Sequence, residues 1–266
     1  MEKYQILLTN DDGIQSPGLW AAAEALSRLG YVTVAAPRLQ SSGMGRSLPN
    51  NSDGVINRET IQVGGRDWTV YAVGGSPAQA VQHGLLEIMP ARPNLVVSGI
   101  NYGENVATGI TISGTVGAAM EASSMGIPAL AISLQTATNL HLSYSTEVDF
   151  NTAAHFAFLF GRLLIEKKFP VDVDLLKVDV PALATAKTPW QLTRIARQRY
   201  YDPLPPARKS WDQPGTVRYR ENMILEPDLN SDVYVLRTKG QVSVTPLSLD
   251  LTSRVDFDEL DQIMRS

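Results

Sequence analysis

The sequence predicts an α/β protein: a mostly parallel sheet with flanking helices. Three observations carry this reading. Short apolar runs, Tyr4–Thr9, Tyr31–Ala36, Leu95–Ser98 and Ala129–Ser133, have the length of buried strands and end in polar or glycine-rich segments. Between the first two, Leu19, Ala22, Ala23, Leu26 and Leu29 recur at the spacing of one helix face. Strand, helix and strand up to Ala36 therefore make a βαβ unit, whose crossover is expected to be right-handed.

The bulk numbers restrict the class. A chain of 266 residues suits one large α/β domain, or a core with appendages. Hydrophobic residues at 44 % and charged residues at 19 % exclude a disordered composition. A net charge of −4 without a basic block gives duplex nucleic acid no electrostatic footprint. Cysteine is absent, which excludes disulfides and thiolate metal sites and favours hard oxygen ligands. No run approaches the roughly 18 apolar residues of a spanning helix, and a strand begins near the N-terminus with no signal-peptide pattern. The expectation is a cytoplasmic protein with no membrane and no duplex nucleic-acid partner.

Each element follows in order. Ser16 reads as the N-cap of the first helix, Leu19–Leu29, with Pro17 in its first turn and Gly30 closing it. Residues 50–73 read as a β excursion, with short runs at Val55–Asn57, Thr60–Val63 and Trp68–Val73 and a Gly64-Gly65 hairpin turn. Ser76-Pro77 leads into a helix over Ala78–Ile88, in which a lone His83 reads as structural or exposed. A small-residue helix lies within Gly109–Ala122, before the strand at Ala129–Ser133. Asn151–Lys167 is amphipathic, with Phe156, Leu159, Phe160, Leu163 and Leu164 on one side. Leu175–Pro181 reads as another strand, and Asp172, Asp174 and Asp179 as polar residues on or beside it.

From Thr188 the composition changes. Arginines and aromatics gather among prolines, so an extended arm or hairpin is expected over Trp190–Glu221. Its side chains would stack on a base, grip a neighbouring subunit, or simply pack within a solvated hairpin. Tyr234–Leu236 and Gln241–Thr245 read as a β pair around Lys239-Gly240, and Asp256–Arg265 as a terminal helix. The chain thus divides into a core over 1–187 and an appended part over 188–266.

The chemistry gathers at strand ends. The first strand delivers Asn10, Asp11 and Asp12 to its carboxyl end, where open α/β sheets bind ligands. Two adjacent carboxylates repel unless a cation or donors compensate them. Mg²⁺ or Mn²⁺ suits their oxygens, although Asn-Asp-Asp-Gly is also good turn chemistry with no metal. The loop Leu39–Ser47 (LQSSGMGRS) offers hydroxyls and closely approaching N–H groups to an anion, or forms only a surface loop. Asn101 offers a carbonyl oxygen to a hard cation or an NH₂ to a phosphate. Ser113-Gly114-Thr115 opens a helix whose free N–H groups make an anion site, a cap, or both. The histidines, His83, His141 and His155, stand beside no GxSxG. The reaction class this predicts is metal-assisted phosphate-ester hydrolysis.

Six segments in order then resemble one family, the SurE survival-protein nucleotidases. They are ILLTNDDGIQSPG at 6–18, SSGMGRS at 41–47, GSPAQAV at 75–81, VSGINYGEN at 97–105, SGTVGAAMEA at 113–122 and VSVTPLSLDLT at 242–252. The resemblance implies a Rossmann-like core and one divalent cation, Mg²⁺ or Mn²⁺, per subunit, held by Asp11, Asp12, Ser42 and Asn101. It implies an acid phosphatase-like hydrolase of nucleoside 5′- and 3′-monophosphates that also trims short polyphosphate. It further implies a homodimer or homotetramer whose C-terminal extensions are exchanged between subunits. Ser76, Gln79 and Ala80 depart from the family's usual Thr, Asp and Cys, and Ile112 from its usual Tyr.

On this reading Asp11 and Asp12 are the catalytic candidates, and Asn10, Gly43, Asn105, Ser113, Gly114 and Thr115 bind phosphate or substrate. The rival is a non-catalytic nucleotide- or polyphosphate-binding sensor module, which gains little from two negative charges beside its ligand. A dinucleotide oxidoreductase lacks its fingerprint, because NDDG stands where GxGxxG would follow the first strand.

Overall fold

Side chains along strand β1 (Tyr4–Thr9) alternate between two buried layers: Ile6 and Leu8 enter one core, Leu7 the other. β1 belongs to a nine-stranded sheet in a computed structural model that describes residues 3–141, 143–222 and 228–266. After β1 come β2 (Gly30–Pro37), β3 (Ile56–Val63), β4 (Arg66–Val73), β5 (Leu95–Tyr102), β6 (Ala129–Leu134), β7 (Leu175–Val180) and β8 (Trp190–Leu192). Two further strands, β9 (Tyr201–Leu204) and β10 (Arg218–Glu221), pair with each other outside the main sheet, and β11 (Val242–Leu247) returns to it. The sheet order is β3-β4-β2-β1-β5-β6-β7-β11-β8. Pairing is parallel from β4 through β7 and antiparallel at β3–β4 and β7–β11.

Helices cover both faces. Leu19 and Leu26 of α1 (Pro17–Leu26) share the Ile6 core with Phe156 and Phe160 from the amphipathic 151–166 helix. Val81 of α2 (Pro77–His83) and Val116 of α3 (Gly114–Ser124) share the Leu7 core. The 151–166 helix is α4 (Asn151–Glu166), and α5 (Phe257–Arg265) ends the chain with no buried residue. No helix of the described residues is long and apolar enough to cross a membrane.

The expected core elements stand where the apolar runs lie, with informative differences. Gly30 opens β2 instead of capping α1. A Cβ there would fall 2.1 Å from the Tyr4 carbonyl oxygen, so the glycine serves a close approach of two strands. The first two runs of the β excursion fuse into one strand, β3, and the hairpin turns at Gly64 and Gly65 with φ of +58° and +73°. The helix expected over Ala78–Ile88 is α-helical only to His83 and ends in a π turn over Gly84–Ile88. Ser76 and Gln79, two of the departures from the family pattern, form a capping box at its start.

The expected late β pair is only half present. Tyr234–Thr238 forms a helical turn, and Ser231 Oγ accepts from Tyr234 N three residues on, the kind of bond that starts a helix. β11 instead pairs with β7 and, in parallel, with β8, so the sheet continues beyond residue 187. The hairpin expected within Trp190–Glu221 is β9–β10.

β7 carries charge into the interior. Lys177 and Asp179 are fully buried and paired, and Asp232 stands 3.3 Å from the Lys177 ammonium. Asp179 Oδ1 accepts from Asn105 N at 2.8 Å, while Asp232 accepts from Ala107 N and Ala196 N at 3.0 Å each. Asp179 is thus one corner of an ion cluster that ties the sheet to the 105–107 loop and to the 194–196 segment.

Candidate functional site

β1 is flanked by β2 on one side and β5 on the other, so the chain changes direction across the sheet there. A crevice outside the carboxyl ends of such strands is where open sheets bind ligands. The turn after β1 places Asp11 and Asp12 there, and β5 ends beside them. A register shift between Ser98 and Asn101 bends β5 at that point.

The two carboxylates are buried and held from different sides. Thr115 Oγ1 donates to Asp11 Oδ1 at 2.5 Å from the start of α3. A Cβ on Gly114 would lie 2.6 Å from Asp11 Cβ, so that glycine admits the acid to the helix end. Asp12 Oδ2 accepts from Tyr102 N at 3.1 Å, and Gln40 Nε2 reaches Asp12 Oδ1 at 3.3 Å. Tyr144 OH donates to the Asp12 carbonyl at 2.8 Å.

None of these donors is cationic, and no ion pair among the described residues includes either acid. Burial raises the Asp11 carboxyl, opposed by Thr115 and by N–H groups at the helix start. Burial and then the Asp11 charge push Asp12 well above the usual carboxylate range. Among the described residues no three His, Cys, Asp or Glu side chains converge as a metal cluster. Asp11 lines the cleft beside neutral oxygens, whereas Asp12, its neighbour in the chain, is buried and is not among the lining residues. Asn101 Nδ2 donates to the Tyr102 and Gly103 carbonyls at 3.2 and 2.7 Å, leaving its Oδ1 as the uncommitted atom. Ser42 lines the same cleft. Two adjacent carboxylates without a compensating cation, together with hydroxyl and amide oxygens, fit a hard divalent ion.

The cleft has a volume of about 530 Å³. Asp11, Ser42, Gly43, Asn101, Asn105 and Ser113 all line it. Ser113 Oγ accepts from Val116 N at 3.1 Å, which leaves its proton available to a ligand. Asn105 Nδ2 donates to Ser133 Oγ at 2.9 Å and keeps a second N–H. The serine loop is pinned over the acids by Ser41 N to the Asp11 carbonyl (2.7 Å) and Gly45 N to the Ile112 carbonyl (3.0 Å).

Three expected ligand contacts take other roles. Asn10 is fully buried and exchanges both of its amide bonds with Gly13 at 3.1 Å, so it builds the turn and does not line the cleft. Thr115, also fully buried, holds Asp11. Gly114 provides the space between that helix and the acid.

Other lining groups escape a motif reading. His141, Tyr201 and Tyr219 form an aromatic wall. His141 stacks on Tyr219 with centroids 6.3 Å apart and stands edge-on to Tyr201 at 6.1 Å. Burial lowers the His141 imidazole below its ordinary pKa, opposed by the Thr136 carbonyl and the Glu221 charge. Arg199 and Arg218 line the cleft beside the wall. Glu104 also lines the cleft and carries no motif signal beyond its nearness to Asn101. Gln40 and Tyr144, which hold Asp12 without lining the cleft, carry none either.

Comparison with known proteins finds relatives that match nearly the whole chain. The family described as Survival protein SurE matches residues 6–202. A "5'-nucleotidase SurE" of Thermococcus gammatolerans is 39 % identical over 262 residues, covering 98 % of this chain and 96 % of that protein. One of the same name from Methanosarcina mazei is 39 % identical over 268 residues, covering 98 % and 97 %. Among solved structures, the crystal structure of the Sure protein from Aquifex aeolicus superposes with a TM-score of 0.74 at 32 % identity, covering 98 % of each chain.

Proposed function

The chain belongs to the SurE family, and on that premise we propose that it is a nucleotide phosphatase dependent on one Mg²⁺ or Mn²⁺ per subunit. Its substrates are nucleoside 5′- and 3′-monophosphates, with short polyphosphate as a secondary one. The observation that carries this reading is the buried Asp11–Asp12 pair. Its hydrogen-bond partners are neutral, and its cleft also holds Ser42 and Asn101.

Asp11, Asp12, Ser42 and Asn101 would hold the cation, which supplies Lewis acidity toward the phosphoryl group. The protein's own work is orientation. Thr115 fixes Asp11, while Tyr102 N–H and Gln40 fix Asp12, so neither acid needs to reorganise when a ligand arrives. Ser113 Oγ–H, the free Asn105 N–H and the Gly43 backbone are the phosphate donors, supported by the positive end of α3. The aromatic wall takes the nucleoside and excludes water from that side of the cleft.

The arm and C-terminal part over 188–266 are proposed to assemble the subunits into a homodimer or homotetramer. The exposed apolar side chains Phe257, Ile263 and Met264 of α5 support this. The cytoplasm is the proposed location.

Phosphate release from a panel of nucleoside monophosphates and short polyphosphate tests the function. It is run with EDTA, then with Mg²⁺ or Mn²⁺, on wild type and Asp12→Asn. Chelation should abolish release, added metal should restore it, and the variant should lose at least about a hundredfold. Full turnover in EDTA would refute the metal, and no release under any metal would refute the hydrolase.

A further inference from the structure

A second acid lining the cleft, Glu104, has no part in the phosphate chemistry above. It is only 4 % exposed and lines the cleft. Its Oε1 accepts from Tyr200 OH at 2.6 Å. With the cleft empty its Oε2 is covered and has no partner among the described residues, so a turn of the side chain is what brings it to a ligand. Buried polar atoms are nearly always paired, so an unpaired one lining a cleft points to a donor brought by a ligand.

The surroundings narrow the ligand. The hydroxyl of Tyr201, also a lining residue, is likewise buried and unpaired among the described residues. The Tyr201 ring lies edge-on to Tyr219 at 5.1 Å and to His141 at 6.1 Å. Arg237 lies over the Tyr200 ring and pairs with Glu221 at 3.0 Å, and it makes no bond to Oε2. As a carboxylate, Oε2 suits a donor better than a phosphate, which brings acceptors and like charge. Glu104 follows Asn101 by three residues, a chain reach of at most about 10 Å. That is within the length of a nucleoside monophosphate whose phosphate sits near Asn101.

We propose that Glu104 is a specificity residue. Its free carboxylate oxygen accepts a hydrogen bond from a donor on the nucleoside, either a ribose hydroxyl or an exocyclic amine, and Tyr201 OH makes the second polar contact. This rests on the nucleotidase reading and adds which part of the substrate is read.

Glu104→Gln is the direct test. It can keep the bond from Tyr200 while replacing the acceptor at Oε2 with an NH₂ donor. The readout is the ratio of kcat/KM for AMP to that for p-nitrophenyl phosphate, which has no nucleoside. That ratio should fall at least about tenfold. The same measurement on the 2′-deoxy, the 3′-deoxy and the 6-unsubstituted purine analogues of AMP locates the donor. The analogue that lacks the relevant group should be insensitive to the substitution. A ratio within about twofold of wild type, or an equal loss on AMP and all three analogues, would overturn the assignment. If Glu104→Gln does not fold, Tyr201→Phe carries the same test with the same criterion. If wild type hydrolyses neither ester, the function has failed. Calorimetric titration with adenosine then decides this inference alone: binding weakened at least about tenfold by Glu104→Gln supports it, and no binding to wild type overturns it.

Discussion

Removing the positive charge from the buried cluster under the site tests how the cleft is held. Lys177 and Asp179 side chains are 1 % and 0 % exposed, and Asp232 completes the group. Burial alone would lower the Lys177 ammonium; Asp179 and Asp232 outweigh it and hold it above its ordinary pKa. Burial also raises Asp179, to about 6, although the Lys177 charge pulls it down. Both shifts make sense for a cluster with one cation and two acids, because the surplus negative charge has no counterpart.

Lys177→Met keeps most of the stem's volume, so little cavity forms. It leaves two buried carboxylates facing each other without a cation. Breaking a buried pair in this way costs about 3–5 kcal/mol, a large share of the roughly 5–15 kcal/mol that holds a domain. Asp179→Asn is the companion variant. It removes the surplus charge, leaves Lys177 with Asp232, and can still accept from Asn105 N, so it should cost less than about 1 kcal/mol at neutral pH.

The sign with pH follows from the raised Asp179. The native state holds its proton to about 6, against an ordinary 3.8, so wild-type stability from this group falls as pH rises between those values. The size is on the order of 3 kcal/mol, and Asp179→Asn should lose that slope. Urea unfolding followed by circular dichroism at pH 4.5, 6 and 7.5 (about these values) reads all three proteins. A Lys177→Met cost below about 1 kcal/mol, or an Asp179→Asn protein that tracks wild type across the series, would refute the reasoning.

Three further outcomes are expected. Thr115→Val removes the donor to Asp11 Oδ1 and should raise the Mg²⁺ or Mn²⁺ needed for half-maximal phosphate release by about 10- to 100-fold; an unchanged metal titration would reduce Thr115 to a packing residue. Gly114→Ala forces a Cβ to 2.6 Å from Asp11 Cβ and should cost about 1–3 kcal/mol in thermal unfolding along with activity. Gly109→Ala, with nothing within 4 Å of its Cβ, is the matched control for stability alone, because Gly109 lines the cleft. Deleting residues 255–266 removes α5, which buries nothing within the subunit, so the fold should survive while light scattering reports a smaller assembly; an unchanged mass would remove α5 from the interface.

Much of the core was legible because its signals are local. Leu95–Ser98 and Ala129–Ser133 are short, apolar and bounded by breakers, and nothing competes with their burial in a parallel sheet. Tyr234–Leu236 misled because three residues with strand-like character cannot reveal that Ser231 starts a helical turn before them. The Lys177–Asp232 contact joins residues 55 apart, and no spacing rule reaches that far. The acid pair was visible from adjacency alone. The use of Asn10 and Thr115 to build and hold it was not, because a hydroxyl or amide at a strand or helix end looks the same whether it serves the backbone, a neighbouring acid or a ligand.

The same distinction explains how the site is held. Asp11 and Asp12 are neighbours in the chain, yet Asp11 is fixed by the start of α3 and Asp12 by the end of β5 and by the loop after β2. Each acid therefore records the position of a different element. Their mutual repulsion, visible in the raised Asp12, acts against that arrangement, while the covered cores on both faces of the sheet oppose it. A local sequence preference could not sustain two buried, uncompensated carboxylates side by side. Tertiary packing can, and on the proposed function a divalent cation would offset the repulsion that remains. The placement of the acids at the β1–β5 switch point, and not their identity alone, is what makes the turn a candidate catalytic centre.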